Sequence, residues 1–268
     1  MKKLFSLSIL LLVFFKLSIS QLEITSKITL KDEFSEIEVD HYGYIYVIKD
    51  DNLLKLDDNQ SIIYSYSNKL FGEISQLDIS NPLRPLIFYK DQGIITVLDN
   101  TLSQQKYVIS LNEIGLYQSK CIANSNFDNG IWLYDIDINE IVKIDHLSNI
   151  IYRSGNLSVI LNEMNSPVIK LYEKNKKLYA ITTDKIFTLD QFGSLISSVN
   201  ISEKNGIIVT ENELWCYDGE FITTYENLDF KIDTIQKSSA YIKIMGFSKK
   251  LVGVPKNRKD LYSLELRK

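Results

Sequence analysis

Histidine, cysteine and proline are scarce in this chain, and each shortage narrows its chemistry. Of 268 residues only two are histidine, His41 and His146. Each follows an aspartate at the end of an apolar run (VDHYG and KIDHLS), where a polar turn residue is expected. Histidine is the usual proton-transfer group near neutral pH, and no G-x-S-x-G elbow accompanies either one. A Ser-His-Asp hydrolase and a multi-histidine zinc or copper site are therefore disfavoured. Cys121 and Cys216 fall in separate apolar runs (SKCIANS and LWCYD) and read as two buried free thiols. There is no P-loop and no G-x-G-x-x-G string, so nucleotide binding has no support. The absence of a Lys/Arg-rich block argues against a nucleic-acid surface and an anionic membrane surface alike. Only four prolines and eleven glycines occur, with no Pro/Gly/Ser-rich linker, so a single domain is expected.

What is present begins with an export signal. Lys2 and Lys3 precede the apolar run Leu4–Phe15, and Ser18-Ile19-Ser20 offers small residues for cleavage before Gln21. That run of roughly 12 residues is too short for the ~20 a membrane span requires, and no later stretch is longer. Residues 1–20 are thus read as a signal peptide and 21–268 as the mature domain. Cleavage removes Lys2, Lys3 and Lys16 and no acid, which leaves a net charge of about −7 from 34 acidic residues.

The mature chain repeats one phrase: an apolar β-run, a polar turn, and a second β-run ending in Leu, Ile or Tyr before Asp. It occurs as YIYVIKDDNLLKLD (44–57), LIFYKDQGIITVLD (86–99), GIWLYDIDINEIVKID (130–145), KLYAITTDKIFTLD (177–190) and GIIVTENELWCYD (206–218). The terminal aspartates Asp57, Asp99, Asp145, Asp190 and Asp218 stand roughly 42, 46, 45 and 28 residues apart, near the ~40–50 period of four-stranded propeller blades. A β-run precedes the phrase (FSEIEVD, ISQLDIS, SKCIANS, SPVIKLY) and another follows it (SIIYSYS, QKYVISL, NIIYRSG, SLISSVNI, FITTY). The fifth unit is short and reads as having lost or merged its first strand. A sixth supplies only three strands, at 241–247, 250–254 and 260–266. The period-2 pattern of LEITSKITL, with Leu22, Ile24, Ile28 and Leu30 on one face, offers the missing fourth. An all-β, six-bladed propeller closed by its own N-terminal strand is expected, with single helical turns at 112–115 and 157–164.

The stretch 68–103, NKLFGEISQLDISNPLRPLIFYKDQGIITVLDNTLS, with NGIWLYD at 129–135, resembles a family of secreted β-propeller proteins from Bacteroidetes. Its repeats are similar to NHL-type six-bladed propellers. The resemblance implies the fold, export and a bacterial source, and it transfers no catalytic or binding residue.

Few residues mark a site. Asp135-Ile136-Asp137-Ile138-Asn139-Glu140 begins like a calcium loop, but Glu140 replaces the required glycine and His146 the closing glutamate. The string is read instead as β-structure crossing a turn. The turns between the paired strands hold Asp50 and Asp51, Asp91, Asp135 and Asp137, Asp184, and Glu211, whereas the sixth offers Lys256, Arg258 and Lys259. Asp51, Asp91, Asp137, Asp184 and Glu211 are the candidate binding residues, an acidic rim suited to a cation or basic partner. The plainer explanation is that such residues make tight turns. Trp132 and Trp215 read as core, Asn81–Pro85 as a stiff exposed connection that could form a contact epitope, and Asp233-Thr234-Ile235 as matching a short O-glycosylation signal.

The leading expectation is a non-catalytic binding or scaffold module, monomeric and without cofactor, in the periplasm or outer envelope, with an envelope protein or glycan as partner. The chain ends within a blade strand, which tilts the expectation towards the periplasm. The alternative is a metal-dependent propeller enzyme of lactonase or lyase type, with Asp40 and Asp78 as its inner acids.

Overall fold

A computed structural model describes residues 21–267 except 32, 58, 162–163, 202–205, 210–212, 227–231, 238–240 and 248–249. The signal segment 1–20 lies outside the described residues. Six antiparallel four-stranded sheets make up the fold. Blade 1 comprises Glu36–Val39, Ile45–Lys49, Asn52–Leu56 and Ile62–Ser67. Blade 2 comprises Gln76–Asp78, Leu86–Tyr89, Ile94–Leu98 and Gln104–Ser110. Ser119–Asn124, Ile131–Asp135, Glu140–Ile144 and Ile150–Arg153 form blade 3. Lys170–Lys174, Lys177–Ile181, Lys185–Leu189 and Leu195–Asn200 form blade 4. Blade 5 runs through Gly206–Val209, Glu213–Tyr217, Phe221–Glu226 and Ile232–Lys237. Blade 6 takes Tyr241–Phe247, Lys250–Pro255 and Asp260–Arg267 from the end of the chain and Gln21–Thr29 from its beginning.

The burial pattern explains why the repeated phrase is apolar throughout rather than alternating. Each blade is covered on both faces by its neighbours, so the second strands of blades 2 and 3 are buried at every position. The fourth strand of blade 1, at the rim, is almost wholly exposed. Six apolar clusters result, one in each gap between adjacent blades. Cys121 and Cys216 are buried and free within two of them, and burial pushes both thiols up to about 12. The inner strands approach closely: a Cβ on Gly206 would lie 2.1 Å from the Ile244 carbonyl of blade 6, so only glycine fits there. The expected helical turns are present as Asn112–Ile114 and Leu157–Ile160.

Closure follows the expected pairing, from Gln21 opposite Arg267 to Thr29 opposite Asp260. The face assignment does not. A register shift between Ile24 and Ser26 turns the strand over, as one inserted residue must. Leu22 therefore packs in the gap between blades 5 and 6, whereas Ile28 and Leu30 pack between blades 6 and 1 beside Phe34, Ile37 and Val254. Ile24 is left exposed. Asp260 fastens the seam, accepting from the Thr29 hydroxyl at 2.6 Å and the Lys27 ammonium at 2.9 Å, and its carboxyl is held down at about 2 by these donors.

The terminal aspartates of the phrase are turn residues. Asp57, Asp99, Asp145 and Asp190 each close the connection from third to fourth strand, with Oδ1 accepting the N–H groups two and four residues on. The residue three on has positive φ in each case: Gln60, Leu102, Ser148 and Gly193. Asp218 breaks this pattern, accepting from residues two and three on, Glu220 and Phe221. It closes a second-to-third connection, because GIIVTENELWCYD supplies the first and second strands of blade 5. Blade 5 has thus lost no strand, contrary to the sequence expectation, and the 28-residue spacing records a marker displaced by one strand.

Candidate functional site

Among the described residues the acids of these turns do not gather into a cluster that could hold an ion. Asp51 accepts from Asn52 at 2.9 Å and Ser67 at 3.1 Å. Asp91 is exposed on the short turn Lys90–Gln92, and Asp137 is exposed with its N–H donating to Asp135. Asp184 accepts from the hydroxyls of Ser166 and Thr182, which hold its carboxyl below the usual range. Glu211 lies outside the described residues; its flanking strands are the first and second of blade 5, whereas the other four acids follow second strands. Asp135 is buried and accepts from the Gln118 N–H, and Asn139 has positive φ, so the D-x-D-x-N string is consumed by the turn it crosses. Among the described residues no three His, Cys, Asp or Glu side chains gather where they could hold a metal ion.

Buried polar side chains gather instead where the first strands pass into the second. Asp40 accepts the N–H groups of Tyr42 and Tyr44 and the Tyr46 hydroxyl at 3.1 Å. Asp78 accepts the Asn124 N–H at 2.9 Å and its side-chain amide at 3.3 Å, which ties blade 2 to blade 3. Arg84, from the Asn81–Pro85 connection, reaches across to Asn124 Oδ1 at 2.9 Å and the Gly130 carbonyl. Glu173 of blade 4 accepts from the Ser125 hydroxyl, the Trp132 indole N–H and the Phe127 N–H of blade 3. Asp40, Asp78, Asn124 and Glu173 are all more than nine-tenths buried and satisfied, as buried polar groups must be. Asp40 and Asp78 are thereby committed to holding loops. Glu173 carries no mark in the sequence, because its neighbours in EKNKK give it the pattern of solvated surface.

These anchored loops present Tyr42, Leu83 and Phe127 to solvent, 63%, 63% and 57% exposed, and Lys176 of blade 4 lies 4.8 Å from the Phe127 ring. Between blades 1 and 2 they frame a hollow of about 260 Å³ lined by Tyr42, Tyr44, Lys55, Pro82, Leu83 and Asn100. The Lys55 ammonium sits among the rings of Tyr44, Tyr46 and Tyr64 at 4.6, 5.2 and 5.9 Å, and donates to the Asn100 carbonyl at 3.0 Å. Burial lowers its pKa, with Asp40 and Asp99 only partly offsetting the loss of water.

A second charged group belongs to the inner strands. Lys243 of blade 6 contacts Glu38 at 2.8 Å and Glu36 at 3.3 Å in blade 1. Burial alone would raise the Glu38 carboxyl, but Lys243 and, from blade 4, Lys170 pull it below its ordinary value.

The architecture is that of known propellers. No family model and no curated protein matches the sequence. Among solved structures, virginiamycin B lyase from Staphylococcus aureus is similar at TM-score 0.61 and 14% identity, over 92% of this chain and 100% of that one. The Pan2 WD40 domain of Neurospora crassa gives 0.63 at 7% identity, covering 94% and 97%. The β-propeller domain of Myceliophteria thermophila Cps50 (Swd1) gives 0.61 at 11% identity, covering 92% and 100%. At such identities the likeness establishes one thing: the chain has a β-propeller fold.

Proposed function

We propose that this protein is an exported binding module of a bacterial cell envelope. It would hold an envelope protein or glycan on the face that carries the first-to-second-strand connections. The observation behind this reading is that three successive blades hold Tyr42, Leu83 and Phe127 in solvent on loops fixed by buried polar side chains. Large exposed apolar residues on pre-ordered loops lose little entropy when a partner covers them. Export is supported by Lys2, Lys3 and the short apolar run that follows, and a bacterial source by the resemblance of residues 68–103. Asp51, Asp91, Asp137 and Asp184 lie on the opposite face, where they would serve a basic partner.

Expression in a Gram-negative host, followed by fractionation and intact-mass measurement, tests both halves. A mature chain starting at Gln21 in the envelope fraction is expected, and a cytoplasmic chain retaining residues 1–20 would refute export. The purified wild type should co-sediment with envelope particles, and a Tyr42→Ser/Leu83→Ser/Phe127→Ser variant should not. Equal co-sedimentation of the two would refute the assigned face.

A further inference from the structure

A buried ion requires a counter-charge, because removal from water costs several kcal/mol per ion even after relaxation. Lys143 of blade 3 meets this requirement within its own blade. It pairs across the sheet with Trp132, stands 4.6 Å from the indole ring and contacts the Asp128 carboxylate at 2.7 Å. Lys55 occupies the same place in blade 1, paired across the sheet with Tyr46 and buried to a similar degree, 4% exposed against 6%. Among the described residues no carboxylate comes within ion-pair distance of Lys55, and the Asn100 carbonyl is its one hydrogen-bond acceptor. Asp128 precedes Trp132 by the same interval as Tyr42 precedes Tyr46, so an exposed tyrosine stands in blade 1 where blade 3 has its counter-ion. Among the described residues, the ammonium with no carboxylate at ion-pair distance is also the one that lines a hollow.

We propose that this hollow takes the carboxylate of a ligand, seated against Lys55 as the Asp128 carboxylate is seated against Lys143. The rest of the ligand lies on Tyr42, Tyr44, Pro82 and Leu83. One ammonium without an arginine suits a monoanionic carboxylate better than a phosphate, which calls for several convergent donors. The apolar part of the lining, the rings of Tyr42 and Tyr44 with Pro82 and Leu83, favours an apolar body on that carboxylate over a sugar ring. The proposal rests on the binding reading above and names the ligand chemistry for one part of that face.

Calorimetric titration of the mature protein with N-acetylphenylalanine tests it, with N-acetylphenylalanine amide and glucuronate as comparisons. The expected result is a Kd on the order of 1 mM or tighter for the acid, and binding at least about tenfold weaker for the neutral amide and for glucuronate. Lys55→Met should weaken the acid by at least about tenfold. Tyr42→Asp should do the same by supplying an internal counter-ion; position 42 is exposed, so this variant keeps the test open if Lys55→Met fails to fold. Absence of acid binding at millimolar concentration, equal binding of acid and amide, tighter binding of glucuronate, or unchanged binding by Tyr42→Asp would each overturn the proposal. Loss of envelope co-sedimentation with carboxylate binding intact would remove only the envelope reading.

Discussion

Blades 1 and 3 place a lysine at the same point of the same strand, opposite an aromatic residue of the second strand, and resolve its charge differently. In blade 3 the connection preceding the second strand folds Asp128 back onto Lys143 and completes the pair. In blade 1 the corresponding connection turns Tyr42 outward, and Asp40 is occupied by two backbone N–H groups and the Tyr46 hydroxyl. A repeat that forms an internal ion pair in one blade leaves a polar hollow in another. On the binding proposal, divergence at a single loop position would convert structural chemistry into binding chemistry, since the lysine keeps its cross-strand position opposite an aromatic residue.

The comparison breaks most visibly in blade 3. Asp128→Asn should destabilise the protein by about 1–3 kcal/mol in chemical denaturation, less than the full cost of opening a buried pair because Asp128 is partly exposed. A second change, Lys143→Met, should recover most of the loss, because it removes the uncompensated charge. Burial alone would raise the Asp128 carboxyl, but hydrogen bonds from Lys143, Ser125 and the Gly130 N–H hold it below its ordinary value. Its contribution is therefore complete above the usual carboxylate pKa and declines as pH falls below it. Asp128→Asn should lose that part of the acid dependence. A variant as stable as wild type at neutral pH would mean that the two lysines are equivalent after all.

The same contrast shows what a reader of residues can and cannot see. The number of blades, the four strands of every blade but the fifth and the N-terminal closure were legible because period-2 and run-of-apolar patterns report coverage by neighbours. Blade 5 was misassigned because Trp215-Cys216-Tyr217-Asp218 imitates the end of the phrase while lying one strand earlier. Leu22 and Ile28 were placed on one face because a bulge leaves no mark in an alternating string. The hollow was invisible for another reason. Lys55 in NLLKLD reads as a solvated charge, and only cross-strand register shows it buried under Tyr44, Tyr46 and Tyr64. A recoverable signal exists: aligning the phrases puts Lys55 over Lys143 and Tyr42 over Asp128.

A smaller effect sharpens the comparison from the side of blade 1. Burial lowers the Lys55 pKa from its ordinary value, so the folded protein releases this proton at lower pH than the unfolded chain does. Between those two values the unfolded state binds more protons, and stability rises with pH. Lys55→Met lacks that gain. Its stability advantage, or its smallest deficit, should therefore occur near neutrality and diminish as pH is raised towards the ordinary lysine pKa. Tyr89, whose hydroxyl is raised by burial, loses stability as pH rises above the ordinary tyrosine pKa, so the comparison is read below that value. Denaturation midpoints of wild type and Lys55→Met at a series of pH values read the difference directly. A constant gap between the two curves would show that Lys55 keeps its ordinary proton affinity, as an ammonium does when water or a carboxylate already satisfies it, and blade 1 would then hold no uncompensated charge for a ligand to meet.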